Sequence, residues 1–165
     1  MILLPDTCFL SHIRLLAEDN IYDFRKLWTK FRWGITPDIQ KELKHFNLFA
    51  FFPKFDPYII PISNDEISDL CIQFPTLTHF DRADQSLIAV ALREDAIILT
   101  DDGDLLMECI TIGITAMSLP VFCLNLVKNN LMSKTECYHL LKFWELHHHY
   151  TKKELKRWKN QLRLL

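Results

Sequence analysis

The chain opens on an apolar run, Ile2-Leu3-Leu4, that stops at Pro5-Asp6 and reads as a buried strand ending in an acidic turn. Apolar residues at helical spacing follow from Thr7 to Glu18. Residues 22–33 mix Tyr22, Phe24, Leu27, Trp28, Phe31 and Trp33 with Arg25, Lys26, Lys30 and Arg32, the pattern of an amphipathic helix or an aromatic-rich arm. Thr36-Pro37 starts a helix running from Asp38 to about Phe46, because threonine caps well and proline suits the first helical position. Phe49, Phe51, Phe52 and Phe55 form an apolar loop before a second strand, Tyr58-Ile59-Ile60. Ser63 or Asn64 caps the next helix, with Glu66 in its first turn, and Pro75 to Phe80 reads as a loop. The helix from Asp81 to Glu94 is apolar almost all round, so it should be deeply buried. Ala96 to Thr100 is a fully apolar third strand, broken by Asp101-Asp102-Gly103-Asp104. A helix from Leu105 to Ile112, a fourth strand from Ile114 to Ser118, and helices near 121–129, 134–149 and 151–164 complete the chain.

Strands that alternate with helices and are apolar throughout predict a parallel sheet covered on both faces. The expected fold is a three-layer α/β/α domain with a small parallel sheet over residues 1–120. A helical C-terminal extension, 121–165, packs on the same domain. With 165 residues, 49% hydrophobic and 24% charged, the composition excludes a disordered chain. Mean hydropathy is +0.02 and charges interrupt every apolar run, which argues against a membrane-spanning protein. The 19 Lys and Arg against 21 Asp and Glu exclude a strongly basic nucleic-acid coat protein but leave room for a local basic patch. Five cysteines, an odd number with no Cys-x-x-Cys pair, read as small buried hydrophobes rather than a disulfide scaffold or zinc site. The segment MILLPDTCFL has neither a basic leader nor a small-residue cleavage site, so no signal peptide and a cytoplasmic location are expected.

The chemistry sits where strands end. Asp6 closes the first strand, and Asp101, Asp102 and Asp104 follow the third; Asp84 begins the buried helix, and Glu42 lies on the helix opened by Thr36-Pro37. Parallel α/β sheets build their sites at the carboxyl ends of strands, which brings Asp6, Glu42, Asp84 and Asp102 to one edge. Carboxylates gathered in one cleft repel each other and raise each other's pKa values unless a cation compensates. Oxygen-only ligation selects hard ions, Mg²⁺ or Mn²⁺, which polarise phosphates and activate water. Phosphodiester hydrolysis is the chemistry implied. No Gly-x-Ser-x-Gly elbow and no Gly-rich phosphate loop is present.

The segments Leu3-Leu4-Pro5-Asp6-Thr7, Thr36-Pro37-Asp38-Ile39-Gln40-Lys41-Glu42-Leu43, Arg82-Ala83-Asp84-Gln85-Ser86-Leu87-Ile88-Ala89 and Ile98-Leu99-Thr100-Asp101-Asp102-Gly103-Asp104-Leu105 together resemble a PIN-domain ribonuclease. The resemblance covers roughly residues 1–120, the size of one domain. It implies that Asp6, Glu42, Asp84 and Asp102 are the catalytic, metal-binding acids of an Mg²⁺- or Mn²⁺-dependent endoribonuclease. Thr7, Thr100 and Asp101 would support the site, and Asp104 would be a further ligand. Members of the family often have Asn where this chain has Asp101, which leaves open which acid points inward, and Asp81 competes with Asp84. The chain is similar to VapC-type toxins of type II toxin–antitoxin systems. That similarity implies an RNA substrate, an antitoxin partner and a homodimer.

Each feature also has a plain structural reading. Asp6 and Asp81 are good helix caps, Asp84 suits a first helical turn, Glu42 an exposed helix face, and Asp101-Asp102-Gly103 a turn. Four such residues falling where one site would form is the stronger observation. His147-His148-His149, taken as helical, would point three ways and chelate nothing well. The Phe49–Phe55 cluster and the Trp28/Trp33 segment read as core or packing surfaces before they read as base-stacking platforms. In the tail, Leu155, Trp158, Leu162 and Leu165 form an apolar stripe. Lys152, Lys153, Lys156 and Arg157 form a basic face able to guide a phosphate backbone. A catalytically silent PIN-like RNA- or protein-binding module is the alternative.

Overall fold

A computed structural model describes residues 1–52 and 54–165. Five strands, β1 (Ile2–Pro5), β2 (Arg32–Ile35), β3 (Tyr58–Ile59), β4 (Ile97–Leu99) and β5 (Ala116–Met117), form one parallel sheet in the order β3-β2-β1-β4-β5. The helices are α1 (Thr7–Glu18), α2 (Pro37–His45), α3 (Leu48–Phe51), α4 (Asn64–Gln73), α5 (Arg82–Glu94), α6 (Gly103–Thr111), α7 (Leu119–Lys128), α8 (Lys134–Leu146) and α9 (Lys152–Leu164). This is the expected α/β class with an all-parallel sheet and C-terminal helices. β1 and β4, at the centre, are buried along their whole length, as continuous apolar runs require.

Four strands were expected and five form. The extra one, β2, lies across the end of the segment read as a helix or arm and the start signal of the following helix. It is only four residues long, and the aromatics before it mimic helical spacing. Its place depends on Gly34: a Cβ there would come 2.7 Å from Ile60 Cδ1 and 3.1 Å from Ile2 Cγ2 and Leu4 Cδ2. Two 3₁₀ turns, Phe24–Leu27 and Pro75–His79, stand where a helical arm and a loop were expected.

The aromatic residues are core. Trp28 meets Trp33, Phe52 and Phe55 at ring-centroid distances of 5.0, 5.4 and 4.7 Å. All four rings are buried, while Phe31, Phe49 and Phe51 are partly buried against the same core. One continuous core runs from Ile2 to Leu162 and joins the extension to the sheet domain. Phe122 of α7 packs 5.8 Å from Phe9 of α1 and 5.8 Å from Phe31. α9 buries Leu155, Trp158 and Leu162, but Leu165 is exposed, so the apolar stripe is one residue shorter than expected. The five cysteines are free, and Cys109, Cys123 and Cys137 are buried. Among the described residues no helix is long and apolar enough to cross a membrane.

The strand order determines where a ligand can sit. From β1 the chain moves to β2 and β3 on one side, then returns to β4 and β5 on the other. Connections leave β1 and β4 in opposite directions, which opens a crevice at their carboxyl ends.

Candidate active site

Asp6 follows β1 and caps α1. Its Oδ1 accepts from Phe9 N–H at 2.6 Å, and its Oδ2 accepts from the Thr100 hydroxyl. Its own N–H donates to the Leu99 carbonyl at 3.0 Å, which fixes it to the end of β4. The plain capping role is therefore real, and the same side chain also ties the start of α1 to the end of β4. Asp6 is 4% exposed. Burial pushes its pKa up to about 7 against the hydrogen bonds from Thr100 and Phe9, and Asp101 and Asp102 raise it further.

Thr100 ties two acids together, because its Oγ1 also accepts from Asp102 N–H at 2.9 Å. Asp102 is exposed and caps α6 through Oδ1, which accepts from Asp104 N–H at 2.8 Å and Leu105 N–H at 3.0 Å. Glu42, half-buried on α2, accepts from the Thr7 hydroxyl at 2.5 Å. Thr7 and Thr100 thus hydrogen-bond Glu42 and Asp6 respectively.

Asp81 and Asp84 divide the work between them. Asp81 caps α5, accepting from Asp84 N–H at 3.0 Å, while Asp84 lies half-buried one turn in. Burial raises the Asp84 pKa to about 7, and the charges of Asp81, Asp6, Asp102 and Glu42 add to it. Three of the four acids picked out in the sequence, Asp6, Glu42 and Asp102, therefore act electrostatically on the fourth, Asp84.

The Asp101-Asp102 doublet is split. The Asp101 side chain is buried, with Oδ1 accepting from Leu119 N–H at 2.9 Å and Oδ2 2.7 Å from His12 Nδ1. This contact raises the His12 pKa. Asp104 is exposed, and its backbone rather than its carboxylate meets Asp102. Lys152, Lys153, Lys156 and Arg157 are all exposed on α9.

Sequence reasoning missed several residues around this site. His12 lies inside the first helix beside Ser11 and near Arg14, and nothing in its immediate neighbourhood sets it apart. The histidine run is not helical: His147 ends α8 and His148 has a φ of 55°, which turns His149 toward His12, with ring centroids 5.7 Å apart. Ser86 is a further omission. Its hydroxyl lies 2.6 Å from that of Thr36, which caps α2 by accepting from Ile39 N–H at 3.2 Å. Both are fully buried, so the pair fixes the helices carrying Glu42 and Asp84 to each other. Ser86→Ala strips Thr36 of a buried partner and is expected to lower stability by about 1–3 kcal/mol in urea unfolding. An unchanged midpoint would show that the pair does not brace the two helices.

The donor chemistry fits a hard divalent cation, since every candidate ligand is a carboxylate and the cluster raises its own pKa values. A ready-made ligand shell is not seen: among the described residues, no three His, Cys, Asp or Glu side chains form a group able to hold a metal ion. The fit is thus to an ion that keeps several waters and takes one or two direct carboxylates, as Mg²⁺ usually does. No model of a known protein family matches the chain, and neither does any curated protein.

Proposed function

We propose that the chain is a PIN-like, metal-dependent endoribonuclease that hydrolyses RNA phosphodiester bonds. Asp6, Glu42, Asp84 and Asp102 would hold Mg²⁺ or Mn²⁺. The observation that carries this reading is Asp84, half-buried and pressed by four other carboxylates at the crevice between β1 and β4. Burying unpaired acids costs stability, and such clusters collect at functional sites. When bound, the ion supplies charge neutralisation at the scissile phosphate and activation of water. Thr100 holds Asp6 and the Asp102 backbone in register, and Thr7 fixes one Glu42 oxygen. The Asp81 cap sets the first turn that carries Asp84. The exposed cations of α9 would guide an RNA backbone. A toxin role, an antitoxin partner and a homodimer extend the same reading and rest on the resemblance to VapC-type toxins.

A second reading, a silent PIN-like binding module, is favoured by the lack of three converging carboxylates. A cleavage assay separates the two. Wild type and Asp84→Asn are incubated with structured RNA, or with DNA, in Mn²⁺, Mg²⁺ or EDTA. The expected result is RNA cleavage that requires metal and falls by about 100-fold or more in the variant. Cleavage that persists in EDTA, or in Asp84→Asn at the wild-type rate, overturns the assignment. No cleavage together with no metal binding by calorimetry establishes the silent module.

A further inference from the structure

Charge is shared unevenly along the chain. Residues 121–165 hold nine Lys and Arg against three Asp and Glu, while residues 1–120 hold ten against eighteen. The surplus of the C-terminal helices is also unpaired. Among the described residues, six cations of residues 1–120 form an ion pair with a carboxylate, namely Arg14, Arg25, Lys26, Lys41, Arg82 and Arg93, but in the extension Lys159 alone does. Like charges left together on a surface repel one another, and an anionic partner relieves them.

The fold gathers these cations on a seam. On α9, Lys152, Lys156, Lys159 and Arg163 recur at steps of four, three and four, which puts them on one line of the helix, beside the buried stripe of Leu155, Trp158 and Leu162. On α8, Lys134, Tyr138, Lys142 and Glu145 recur at steps of four, four and three. The Lys159 ammonium donates to Glu145 at 2.7 Å, so the two lines lie side by side. The Glu145 carboxyl is held below its usual range by Lys159 first, with Lys142 and Lys152 adding to it. One acid thus stands among six cations, all exposed except the half-buried Lys159. Tyr138 is 41% exposed, and Lys142 Nζ lies 5.2 Å from its ring centroid. Arg157 belongs to another side of α9, where it lines a cavity with Glu154 and with Leu106 of α6. The exposed cations of α9 therefore do not share one face.

We propose that the seam between α8 and α9 is the surface that holds a single strand of RNA, with phosphates along the line from Lys152 to Arg163 and a base on Tyr138. Eleven residues separate Lys152 from Arg163, a rise of about 16 Å, which no single small anion can meet; a polymer of negative charge can. An exposed ring beside cations is how proteins hold single strands, with bases on the ring and phosphates on the cations. An acidic peptide offers the charge but no base for Tyr138. A lipid surface fits poorly, because the apolar stripe of α9 is already buried in the core. Calling the strand a substrate rests on the nuclease reading; the binding itself does not.

The test is fluorescence anisotropy of a labelled single-stranded RNA in EDTA, so that metal and turnover play no part. The variant Lys152→Glu/Lys156→Glu/Arg163→Glu reverses three exposed cations of the line. A control, Lys30→Glu/Lys44→Glu/Lys54→Glu, reverses three exposed cations elsewhere and changes the net charge equally. At low salt the line variant is expected to weaken RNA binding by about 100-fold, and the control by less than about tenfold. The slope of log affinity against log salt should shrink by about 2 in the line variant, as the loss of three phosphate contacts requires. Tyr138→Ala is expected to weaken binding by about tenfold with the salt slope unchanged. The wild-type amide spectrum gives a readout independent of whether the variants fold: signals of residues 134–145 and 152–163 should move when RNA is added. Equal losses in the line variant and the control, or wild-type shifts confined to other residues, overturn the surface. A poly-glutamate peptide of equal charge that binds as tightly as the RNA overturns RNA as its occupant. RNA binding that depends on the line, without cleavage in Mn²⁺, removes the nuclease reading and leaves the surface standing; cleavage by the line variant at the wild-type KM does the reverse.

Discussion

Asp6→Asn is expected to abolish metal-dependent RNA cleavage and, at about pH 8, to make the protein more stable than wild type. The two effects share one cause. Asp6 is 4% exposed and its pKa is pushed from 3.8 up to about 7, so ionising it in the folded protein is costly. That shift corresponds to about 4 kcal/mol at most. Asparagine removes the charge but not the local structure. It caps as well as aspartate, so its Oδ1 keeps the Phe9 N–H, and its amide can donate to the Thr100 hydroxyl. The melting temperature should therefore rise by about 5 °C or more at about pH 8, and by less at about pH 5, where wild-type Asp6 is already protonated when folded. Cleavage should fall by about a thousandfold, as when one pre-organised electrostatic contact to a reacting group is lost. Retained cleavage would remove Asp6 from the site. Equal melting temperatures at both pH values would show that its burial is not what raises its pKa.

The second large effect is the response of the wild type to pH and metal together. Asp6 and Asp84 both have folded pKa values raised to about 7. Between their unfolded and folded pKa values the native protein holds protons that the unfolded chain has released. Their contribution to stability is therefore full below about pH 4 and is lost as pH climbs through about 7. Asp6 alone accounts for about 2–3 kcal/mol of loss between about pH 5 and 7. Asp84 adds less, because it is half-buried and water screens it. His12, raised by its hydrogen bond to Asp101, acts in the same direction; His149, lowered by burial and by His12, opposes it. A divalent ion binds only the deprotonated acids, so Mn²⁺ should recover stability at about pH 8 and do little at about pH 5. Thermal melts at both pH values, in EDTA and in Mn²⁺, measure this directly. Stabilisation of equal size at both would show that the ion binds elsewhere.

Much of this was legible in the sequence because it is local. β1 and β4 announce themselves as short apolar runs, and acids follow each of them directly. Helix starts were equally readable: Thr36 caps α2 with Pro37 behind it, and Ser63 and Glu66 close a capping box on α4. Such signals need only a few consecutive residues, since one side chain satisfies a backbone N–H two or three positions on. The four acids could be named for the same reason, because each sits at a fixed step from an element that its neighbours define.

What the sequence could not determine depends on partners far along the chain. β2 is a strand because Gly34 lets it lie against Ile2, Leu4 and Ile60, not because four residues carry a strand pattern. Asp101 and Asp102 are adjacent and alike, yet one turns to His12, 89 positions away, while the other stays with the acids and caps α6. Tyr150 and Trp158 meet Asp101 on one cavity only because the final helix folds back on the sheet. Local patterning fixes the elements and the residues at their ends. The direction in which each of those side chains points is decided by packing between elements, and hence by the tertiary structure alone.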